Sequence, residues 1–465
     1  MTAGSPTESA DRSTAGLVTA GVGALLLAAG LYLAWAGVQP FRTWSYQLSW
    51  YPFLLLLDGA HAWRTGRFAL FGRPAFAVSL FLWSAPVWFV FEALNFRLAD
   101  WFYVLVPEGR AVRWAGYVAA YATVLPAVYL PDRWLSLRLV DDDLAGPSIP
   151  VGTTGRRVAL AGGVLFLLLP MWRPTLFFPL VWGATVLLLE PWNHARDPET
   201  SLLGDLERGR YGRIVRLLLA GLVAGLAWET MNAVAGARWI YTVPGLETGK
   251  LFEMPLPGFV GFTVFGLECY VMYRALVNAG VAVAGWGERG GDAAGAERGR
   301  GAGGEPVLRP ARTAGAALLA AAFCVAASAG IDRWTVASHR STLEGFPGLV
   351  EEDLASLRSG GITTVSELAR AEALRIPARA QQVGPIVAVR SVRLARMAEL
   401  RGLGTRNAAL LLQEGIDRVC ALADADDRRV ARLLAGSQPV GQAARERRAR
   451  VWIRAAREAC PTESG

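Results

Sequence analysis

The sequence predicts an all-α membrane protein, in which a polytopic helix bundle is followed by a small all-α domain. The chain has 465 residues, of which 53% are apolar and only 18% are charged, whereas soluble domains average about 25% charged residues. Its apolar residues form blocks of roughly the 20 residues that a helix needs to cross a bilayer. Connectors rich in arginine separate these blocks. This composition excludes an ordinary soluble enzyme of two or three domains.

Stretches with few charges predict nine membrane-spanning helices. They lie near residues 15–37, 46–62, 74–95, 112–131, 157–172, 175–192, 214–235, 258–284 and 313–330. Arginine is more frequent in the connectors on the side of the N-terminus, so we expect the N-terminus in the cytoplasm of a multi-pass cell-membrane protein, with the lipid bilayer as its surroundings. Nine crossings then place the C-terminal domain outside the cytoplasm.

The membrane part contains an internal duplication. The matched residues are Trp50 with Trp182, Asp58 with Glu190, Glu92 with Glu229, Asn95 with Asn232, and Trp101-x-Tyr103 with Trp239-x-Tyr241. Each copy holds four predicted helices, in residues 15–150 and 151–285. Because four is an even number, both copies should share one orientation and be related by a pseudo-two-fold axis along the membrane normal.

The remaining chain divides by composition. We predict a polar tail at 1–14, a flexible linker at 286–312, a ninth transmembrane helix at 313–331, a small domain at 340–436 and an Arg-rich tail at 437–465. The linker mixes Gly, Ala and alternating charges without periodicity, and such a composition buries too little apolar area to fold.

The small domain is itself duplicated, with an offset of 54 residues between Gly348 and Gly402 and between Gly361 and Gly415. The run Leu400-x-Gly402-Leu403-Gly404-x-x-x-Ala408 resembles the hairpin signature of the helix-hairpin-helix family. The resemblance implies that Gly402 and Gly404 form a tight turn between short helices and that Ala408 allows them to pack closely. In that family the hairpin amides often contact DNA phosphates. The first copy has Val350 in place of the second glycine and three acidic residues after it, so only the second copy fits that role.

The predicted topology decides between two kinds of partner for this domain. Outside the cytoplasm there is no chromosome, so we expect a protein partner for residues 340–465, with nucleic acid as the less favoured alternative. The same location would allow a disulfide between Cys420 and Cys460 to persist and to tie the tail to the second hairpin.

The membrane region resembles a group of uncharacterised bacterial multi-spanning proteins. The resemblance rests on the W-E-x-x-N run at 228–232 and on FEMPLPGFVGF at 252–262. It implies a membrane bundle, and no catalytic role follows from it.

Polar residues inside the predicted spans are the candidate solute site. Glu92 with Asn95 and Glu229 with Asn232 have the i, i+3 spacing that places both side chains on one helical face. An ionisable group within a span costs about 2.5–3.5 kcal/mol, so it should face protein or water. We predict a site for a cation or polar solute where the two copies meet; the alternative is that these residues only tie helices together.

Glu268 lies in the middle of the eighth span, where the first copy has Pro126. We expect Glu268 to be buried against the first repeat. It would then be either protonated and hydrogen-bonded or part of a proton or ion path.

A second polar set lies at the other ends of the spans. Asp58 and His61 end the second span, and Glu190 and His194 end the sixth. Two carboxylates and two imidazoles would suit a divalent metal such as zinc or manganese. The alternative is that all four are boundary residues at positions where the helices leave the membrane.

Motifs for common enzyme chemistry are absent from the sequence. It has no phosphate-binding loop, no H-E-x-x-H and no C-x-x-C, so it assigns no cofactor. The favoured function is a transporter or channel for a small polar or cationic solute through the repeat interface. A membrane-embedded enzyme that acts on a lipid or isoprenoid with the same carboxylates, or a membrane-anchored scaffold, is the alternative.

Overall fold

The computed structural model describes residues 13–137, 140, 144–287, 310–340, 342–376 and 383–460. These residues are mostly helical. They divide into two compact units. The first unit is Met1–Leu98, Ala115–Ala235 and Thr248–Ala327, and the second unit is Ala99–Trp114, Gly236–Glu247 and Ser328–Gly465.

Twelve helices precede the small domain in the described residues. They are α1 (Thr14–Trp35), α2 (Ser45–Thr65), α3 (Pro74–Leu98), α4 (Arg110–Tyr121), α5 (Val124–Ser136), α6 (Gly152–Trp172), α7 (Pro174–Phe177), α8 (Ala184–Arg196), α9 (Leu202–Glu207), α10 (Gly212–Val234), α11 (Gly258–Asn278) and α12 (Pro310–Gly330). Four short strands interrupt them: β1 (Trp101–Val104), β2 (Arg238–Tyr241), β3 (Lys250–Leu251) and β4 (Met254–Pro255). The strands pair antiparallel as β1 with β2 and β3 with β4, so the all-α prediction missed two small sheets.

Seven segments among the described helices are long and apolar enough to cross a membrane. They are α1, α3, α6, α7 with α8, α10, α11, and α12 with the π-helical turn that continues it to Thr335. The predicted spans near 46–62 and 112–131 are not among them. In α2 the second half carries Asp58, His61 and Arg64, and the other stretch is divided between α4 and α5, of 12 and 13 residues.

The apolar helices leave many large side chains exposed. Leu318 and Leu319 on α12 are 73% and 75% exposed, and α1 and α6 show further leucines and valines. Large exposed apolar surfaces of this kind are typical of sites that contact a membrane or another protein. The helices are therefore compatible with an integral membrane protein in a lipid bilayer.

Glycines allow the helix backbones of the first unit to approach closely. A Cβ atom built on Gly23 of α1 would lie 2.5 Å from the Leu56 nitrogen of α2, and one on Gly59 of α2 would lie 2.4 Å from the Ala20 nitrogen of α1. A Cβ on Gly266 of α11 would lie 2.0 Å from the Leu217 oxygen of α10. Small residues at such contacts are the main means of helix association in lipid, where van der Waals packing replaces the hydrophobic effect.

The second unit contains the small sheet of β1 and β2. In its register Trp101 pairs with Tyr241, and Tyr103 pairs with Trp239. Residues 336–340 run parallel to β1 on its other side, where the Ala337 amide donates to the Tyr103 carbonyl at 2.8 Å. Phe102, Val104 and Ile240 form a buried cluster there.

Seven α-helices complete the second unit within its described residues. They are α13 (Glu351–Ser359), α14 (Val365–Arg370), α15 (Pro385–Ala398), α16 (Gly404–Gln413), α17 (Val419–Ala423), α18 (Asp427–Leu433) and α19 (Gln442–Ala459). The glycines matched at an offset of 54 share left-handed conformations, with φ of 85° and 80° at Gly348 and Gly402 and of 80° and 83° at Gly361 and Gly415. The backbone therefore has the same left-handed conformation at both pairs of matched glycines.

The Arg-rich tail belongs to the core of this unit. Trp452 and Ala456 of α19 are fully buried in the same hydrophobic cluster as Leu403 and Ala408. A disulfide joins Cys420 on α17 to Cys460 at the end of α19. Most of the predicted linker, residues 288–309, lies outside the described residues, whereas Trp286 is buried in the first unit.

Arginines of α19 hold both connecting loops of the second unit. The Arg447 guanidinium donates to the Ala99 carbonyl at 3.1 Å. Arg450 donates two hydrogen bonds to the Glu247 carboxylate, at 2.9 Å from Nε and 2.6 Å from Nη2, and a third to Asp427 at 2.8 Å. Paired, geometrically matched donors of this kind are the strongest ion-pair contacts that arginine makes.

Helix packing through glycine leads to the first prediction. Gly23→Ala should destabilise the chain by about 1–3 kcal/mol, because the added methyl would collide with the α2 backbone. Gly21→Ala on the same helix has no atom within 4 Å of the new Cβ and should be neutral or stabilising by about 0.5–1 kcal/mol. Thermal unfolding in detergent micelles measures both. Equal midpoints for the two variants would contradict close packing of α1 on α2.

Asp100 gives the second prediction. Burial raises the pKa of its carboxyl from 3.8 to about 7, and the charge of Arg447 offsets part of that rise. Between about pH 4 and pH 7 the folded state keeps a proton that the unfolded state has released, so stability falls as the pH rises through this window. Hydrogen exchange of peptides from 99–106 and 236–247, corrected for intrinsic rates, should show weaker protection at pH 8 than at pH 5. Asp100→Asn should remove this difference, and its persistence would assign the pH dependence to another group.

Candidate functional site

An aromatic cluster occupies the centre of the first unit, around Phe265 of α11. The ring centroid of Phe265 lies 5.3 Å from Phe91, 5.5 Å from Trp88, 5.7 Å from Trp228 and 6.1 Å from Trp182. These rings come from α3, α10 and α11 and from the turn before α8. The cluster therefore joins residues of both predicted repeats.

Two parallel stacks form the flanks of this aromatic cluster. Trp50 stacks on Trp228 with centroids 5.5 Å apart and planes at 8°, and Trp182 stacks on Phe91 at 5.5 Å and 11°. In the predicted duplication Trp50 corresponds to Trp182 and Phe91 corresponds to Trp228. Each stack thus consists of one member from each copy, and the two stacks have equivalent composition.

The predicted glutamates lie next to these rings. Glu92 is fully buried and accepts hydrogen bonds from the Trp88 indole at 2.9 Å and the Tyr121 hydroxyl at 3.2 Å. Glu229 follows Trp228 and is also fully buried, and it accepts from the Glu253 amide at 3.2 Å. Asn95 and Asn232 are buried one turn further along the same helices. The structure therefore brings the aromatic neighbours of both Glu–Asn pairs into one cluster.

Glu268 lies one turn beyond Phe265 and is fully buried. Its Oε1 accepts from the Gly183 amide at 2.8 Å and from the Thr185 hydroxyl at 3.0 Å, at the point where the chain turns into α8. These donors belong to the second repeat, so its hydrogen bonds are made within its own copy rather than to the first repeat. Its Oε2 is buried and has no hydrogen-bond partner among the described residues.

A second helix break lies between α4 and α5, near Thr123. The Ser84 hydroxyl accepts from the Leu125 amide at 3.0 Å and donates to the Tyr121 carbonyl at 2.6 Å. The Trp50 indole donates to the Thr123 carbonyl at 3.4 Å. Side chains thus satisfy the backbone groups that the break releases, as an apolar environment requires.

The predicted metal ligands make local contacts instead. Asp58 accepts from the amides of Ala69 and Leu70 at 2.7 and 3.0 Å and from Phe71 at 2.8 Å. Glu190 accepts from the amides of Leu202 and Leu203. The two carboxylates therefore make similar contacts, since each accepts hydrogen bonds from amides 11 to 13 residues downstream.

The histidines beside them are likewise engaged locally. His61 Nδ1 lies 3.0 Å from the Arg67 carbonyl, and His194 Nδ1 lies 2.8 Å from the Ser201 hydroxyl. Among the residues that the structure describes, no three His, Cys, Asp or Glu side chains are grouped so as to hold a metal ion.

The second hairpin of the small domain faces its own chain. Gly402 and Gly404 have φ of 80° and 76°, and Ala408 is fully buried. The Ser338 hydroxyl donates to the Gly402 carbonyl at 2.7 Å, and a Cβ on Gly402 would lie 2.4 Å from Val104. The turn that would face phosphate in a DNA complex is therefore packed against residues of the second unit.

Sequence reasoning missed a buried charge cluster at the other end of the first unit. Arg216 pairs with Asp132 at 3.0 Å, with both side chains about 5% exposed, and Arg274 pairs with Asp197 at 2.8 Å. Arg213 and Arg216 lie in the first turns of α10, next to one of the arginine-rich connectors from which the orientation is predicted. Their i, i+3 spacing at the start of an apolar helix was the available signal for an inward-facing pair.

The break before α8 gives the third prediction. Glu268→Leu leaves the buried Gly183 amide without its acceptor, which should destabilise the chain by about 1–3 kcal/mol. Glu268→Gln retains an acceptor oxygen and should unfold close to the parent temperature. Thermal unfolding of both variants in the same detergent measures the difference. If Leu is tolerated as well as Gln, the carboxylate does not hold this turn.

No protein-family model, no characterised protein and no solved structure matches the chain. Its function must therefore be inferred from the side chains and their geometry.

Proposed function

We propose that the chain is a transporter or channel for a small organic cation, which passes along the interface of two membrane repeats. The observation that carries this proposal is the aromatic cluster around Phe265, bordered by the buried carboxylates of Glu92 and Glu229. One glutamate comes from each repeat, and both follow directly on aromatic residues of the cluster.

The chemistry of this cluster suits a cation. Tryptophan has the strongest attraction for a cation over its ring face, and desolvation raises that attraction to about 2 kcal/mol or more. Carboxylates within an apolar bundle supply the countercharge, and Glu268 keeps one buried oxygen without a partner among the described residues. Intramembrane ionisable residues commonly mark ion or substrate paths.

Two sets of contacts support a two-fold relation between the repeats. In the first unit, exchange of the copies converts the Trp50–Trp228 stack into the Trp182–Phe91 stack. In the second unit, the same exchange converts the Trp101–Tyr241 pair into the Trp239–Tyr103 pair. A two-fold axis predicts reciprocal contacts of this kind.

The sheet in the second unit also supports the nine-span topology. β1 and β2 follow α3 and α10, and strands that pair must lie on one side of a bilayer. The chain between β1 and β2 must then cross an even number of times. The helices α6, α8 and α10 supply three crossings, so the broken helix α4–α5 is the natural fourth. A nine-span chain places residues 336–340, which run beside β1, on that same side. With arginine-rich connectors inside, that side is extracytoplasmic.

Broken helices support transport as well. The breaks before α5 and α8 lie within the bundle, and both have their backbone groups satisfied by Ser84, Trp50 and Glu268. Discontinuous helices near the bilayer midplane commonly form the substrate sites of transporters.

We further propose that the helix-hairpin-helix-like module contacts protein rather than nucleic acid. The support is that its second hairpin already packs against Val104 and Ser338. The first hairpin is followed by the carboxylates of Glu351, Glu352 and Asp353, which would repel phosphate.

Uptake into proteoliposomes tests the transport proposal. We expect the purified chain to move at least one small organic cation, such as radiolabelled tetramethylammonium, choline or guanidinium. Glu92→Gln and Glu229→Gln should each reduce uptake at least about tenfold, which corresponds to about 1.4 kcal/mol of binding energy. Trp228→Phe should weaken uptake less, because Phe retains a ring face.

Matched controls use exposed residues of the same types. Glu352→Gln on α13 and Trp35→Phe at the exposed end of α1 should leave uptake unchanged. Absence of uptake for every cation, or equal effects of Glu92→Gln and Glu352→Gln, would contradict the proposal.

A further inference from the structure

After α11 and a turn of two residues, the chain continues inside the first unit as a seven-residue segment that begins at Val281. After Asn278 the chain turns at Gly280, whose φ is 75°, and residues 281–287, Val-Ala-Val-Ala-Gly-Trp-Gly, pass between the helices without helix or strand structure. Val281 and Ala282 are buried, and Trp286 is completely buried. We call residues 281–287 the plug segment.

Side chains of the surrounding helices bind the backbone of the plug segment along its length. The Trp83 indole donates to the Val281 carbonyl at 3.1 Å, and the Ser79 hydroxyl accepts from the Val283 amide at 2.9 Å. The Tyr273 hydroxyl donates to the Val283 carbonyl at 2.8 Å. The segment thus resembles a peptide bound in a groove of a protein, because its backbone forms hydrogen bonds with side chains rather than with a neighbouring strand.

Three arginines bind the three consecutive carbonyls at the end of the segment. Arg73 donates to Gly285 at 3.1 Å, Arg274 to Trp286 at 3.4 Å and Arg213 to Gly287 at 3.3 Å. Two of these arginines also have carboxylate partners, because Arg274 pairs with Asp197 at 2.8 Å and Arg213 with Asp205 at 3.4 Å. The segment therefore supplies further acceptors to guanidinium groups whose remaining N–H groups are costly to bury without a hydrogen bond.

Trp286 anchors the segment. Its indole donates to Asp132 at 3.1 Å, and the same carboxylate pairs with Arg216. The rings of Tyr129 and Tyr270 each meet it edge to face with centroids 5.6 Å away. A buried tryptophan with its N–H satisfied is typical of an anchor residue in a binding interface.

Glycines on both sides of Trp286 fit the segment closely into its cleft. A Cβ on Gly285 would lie 2.5 Å from Phe76, and a Cβ on Gly287 would lie 2.2 Å from the Tyr270 hydroxyl. Both glycines have positive φ, 158° and 96°. A side chain at either position would displace the segment.

The cleft is formed by both copies of the duplication. Ser79, Trp83 and Asp132 come from α3 and α5 of the first copy, and Arg213, Tyr273 and Arg274 come from α10 and α11 of the second. These contacts lie at the start of α3 and α10 and at the end of α5 and α11, whereas Glu92 and Glu229 lie near the other ends of α3 and α10. The segment thus bridges the two copies at the end opposite the glutamates.

We propose that residues 281–287 are a plug that closes one end of the repeat interface and is displaced when the path opens. Its effect on transport rests on the proposed function, whereas its reversible seating in the cleft does not. When it leaves, the released Asp132 and the arginines face a polar vestibule that water can fill, which lowers the cost of their charges.

A disulfide lock tests the effect on transport. In a chain with Cys269→Ala and Cys324→Ala, the pair Ser79→Cys and Val283→Cys should form a bond that holds the plug in its cleft. Oxidation should reduce uptake of the transported cation at least about tenfold, and dithiothreitol should restore it. Ser79→Cys alone, given the same treatments, controls for loss of the hydroxyl and for reduction of the Cys420–Cys460 bond. Unchanged uptake with the lock verified by mass spectrometry would overturn the proposal.

Thiol labelling tests the seating of the plug independently of transport. In the same background, in which Cys420 and Cys460 remain joined, Ala282→Cys of the detergent-solubilised chain should be protected from a maleimide. Addition of Trp286→Ala or Gly287→Ala should increase its labelling rate at least about tenfold. Gly315→Ala, with no atom near its Cβ, is the matched control and should leave the cysteine protected. Equal labelling in parent and variants would overturn the plug. Absence of uptake in every variant, combined with the expected labelling, would reject the transport function alone.

Discussion

The first unit depends on buried side chains that satisfy backbone groups outside regular helices. In an apolar bundle such groups have no water to bind, and each unmet hydrogen bond costs several kcal/mol. Glu268 accepts from the Gly183 amide at one helix break. At the other break, the Ser84 hydroxyl accepts from the Leu125 amide and donates to the Tyr121 carbonyl. Asp58 binds the chain before α3, and Glu190 binds the first amides of α9. The arginines around residues 285–287 do the same for backbone acceptors, because Arg73 donates to the Gly285 carbonyl and Arg274 to the Trp286 carbonyl. Polar residues that are costly inside a membrane are therefore placed where the backbone needs them.

This constraint does not separate structural from functional residues. One oxygen of Glu268 holds the turn before α8, and its other oxygen is buried beside the aromatic cluster without a partner among the described residues. Glu92 accepts from Trp88 and Tyr121, so its hydrogen bonds fix the rings that a cation would contact. A carboxylate fixed in this way is preorganised, because its orientation does not have to be found when a ligand arrives. A structural role for these glutamates is therefore compatible with the proposed role in cation binding.

Periodicity and self-similarity predicted the parts of the fold that depend on local sequence. The apolar blocks correspond to the long helices, and the offset of 54 residues corresponds to matched left-handed glycines at 348 and 402. Contacts distant in sequence were not predictable. The alternating aromatics of 101–103 indicate a strand only once 239–241 lies beside them. The break before α5 was equally unpredictable. A proline such as Pro126 does not by itself indicate a break, because Pro52 and Pro86 lie within continuous helices. Trp286 lay in a Gly-rich run whose composition favoured a linker, although its indole donates to Asp132, which lies 154 residues earlier in the chain.

The pairing of β1 with β2 constrains the proposed membrane topology in a way that hydropathy does not. By length and composition α4 and α5 fail as spans, since each is too short to cross alone. Strands that hydrogen-bond to each other cannot lie on opposite sides of a bilayer, however. Between β1 and β2, three described segments are long and apolar enough to span, namely α6, α7 with α8, and α10. The proposed topology therefore includes an additional crossing between Val104 and Arg238. Together α4 and α5 span 27 residues from Arg110 to Ser136, or about 40 Å at 1.5 Å per residue, which exceeds the hydrocarbon thickness. A crossing made of two half-helices has a low apparent hydropathy per helix, and it exposes a backbone break that Ser84 and Trp50 must then satisfy within the bundle.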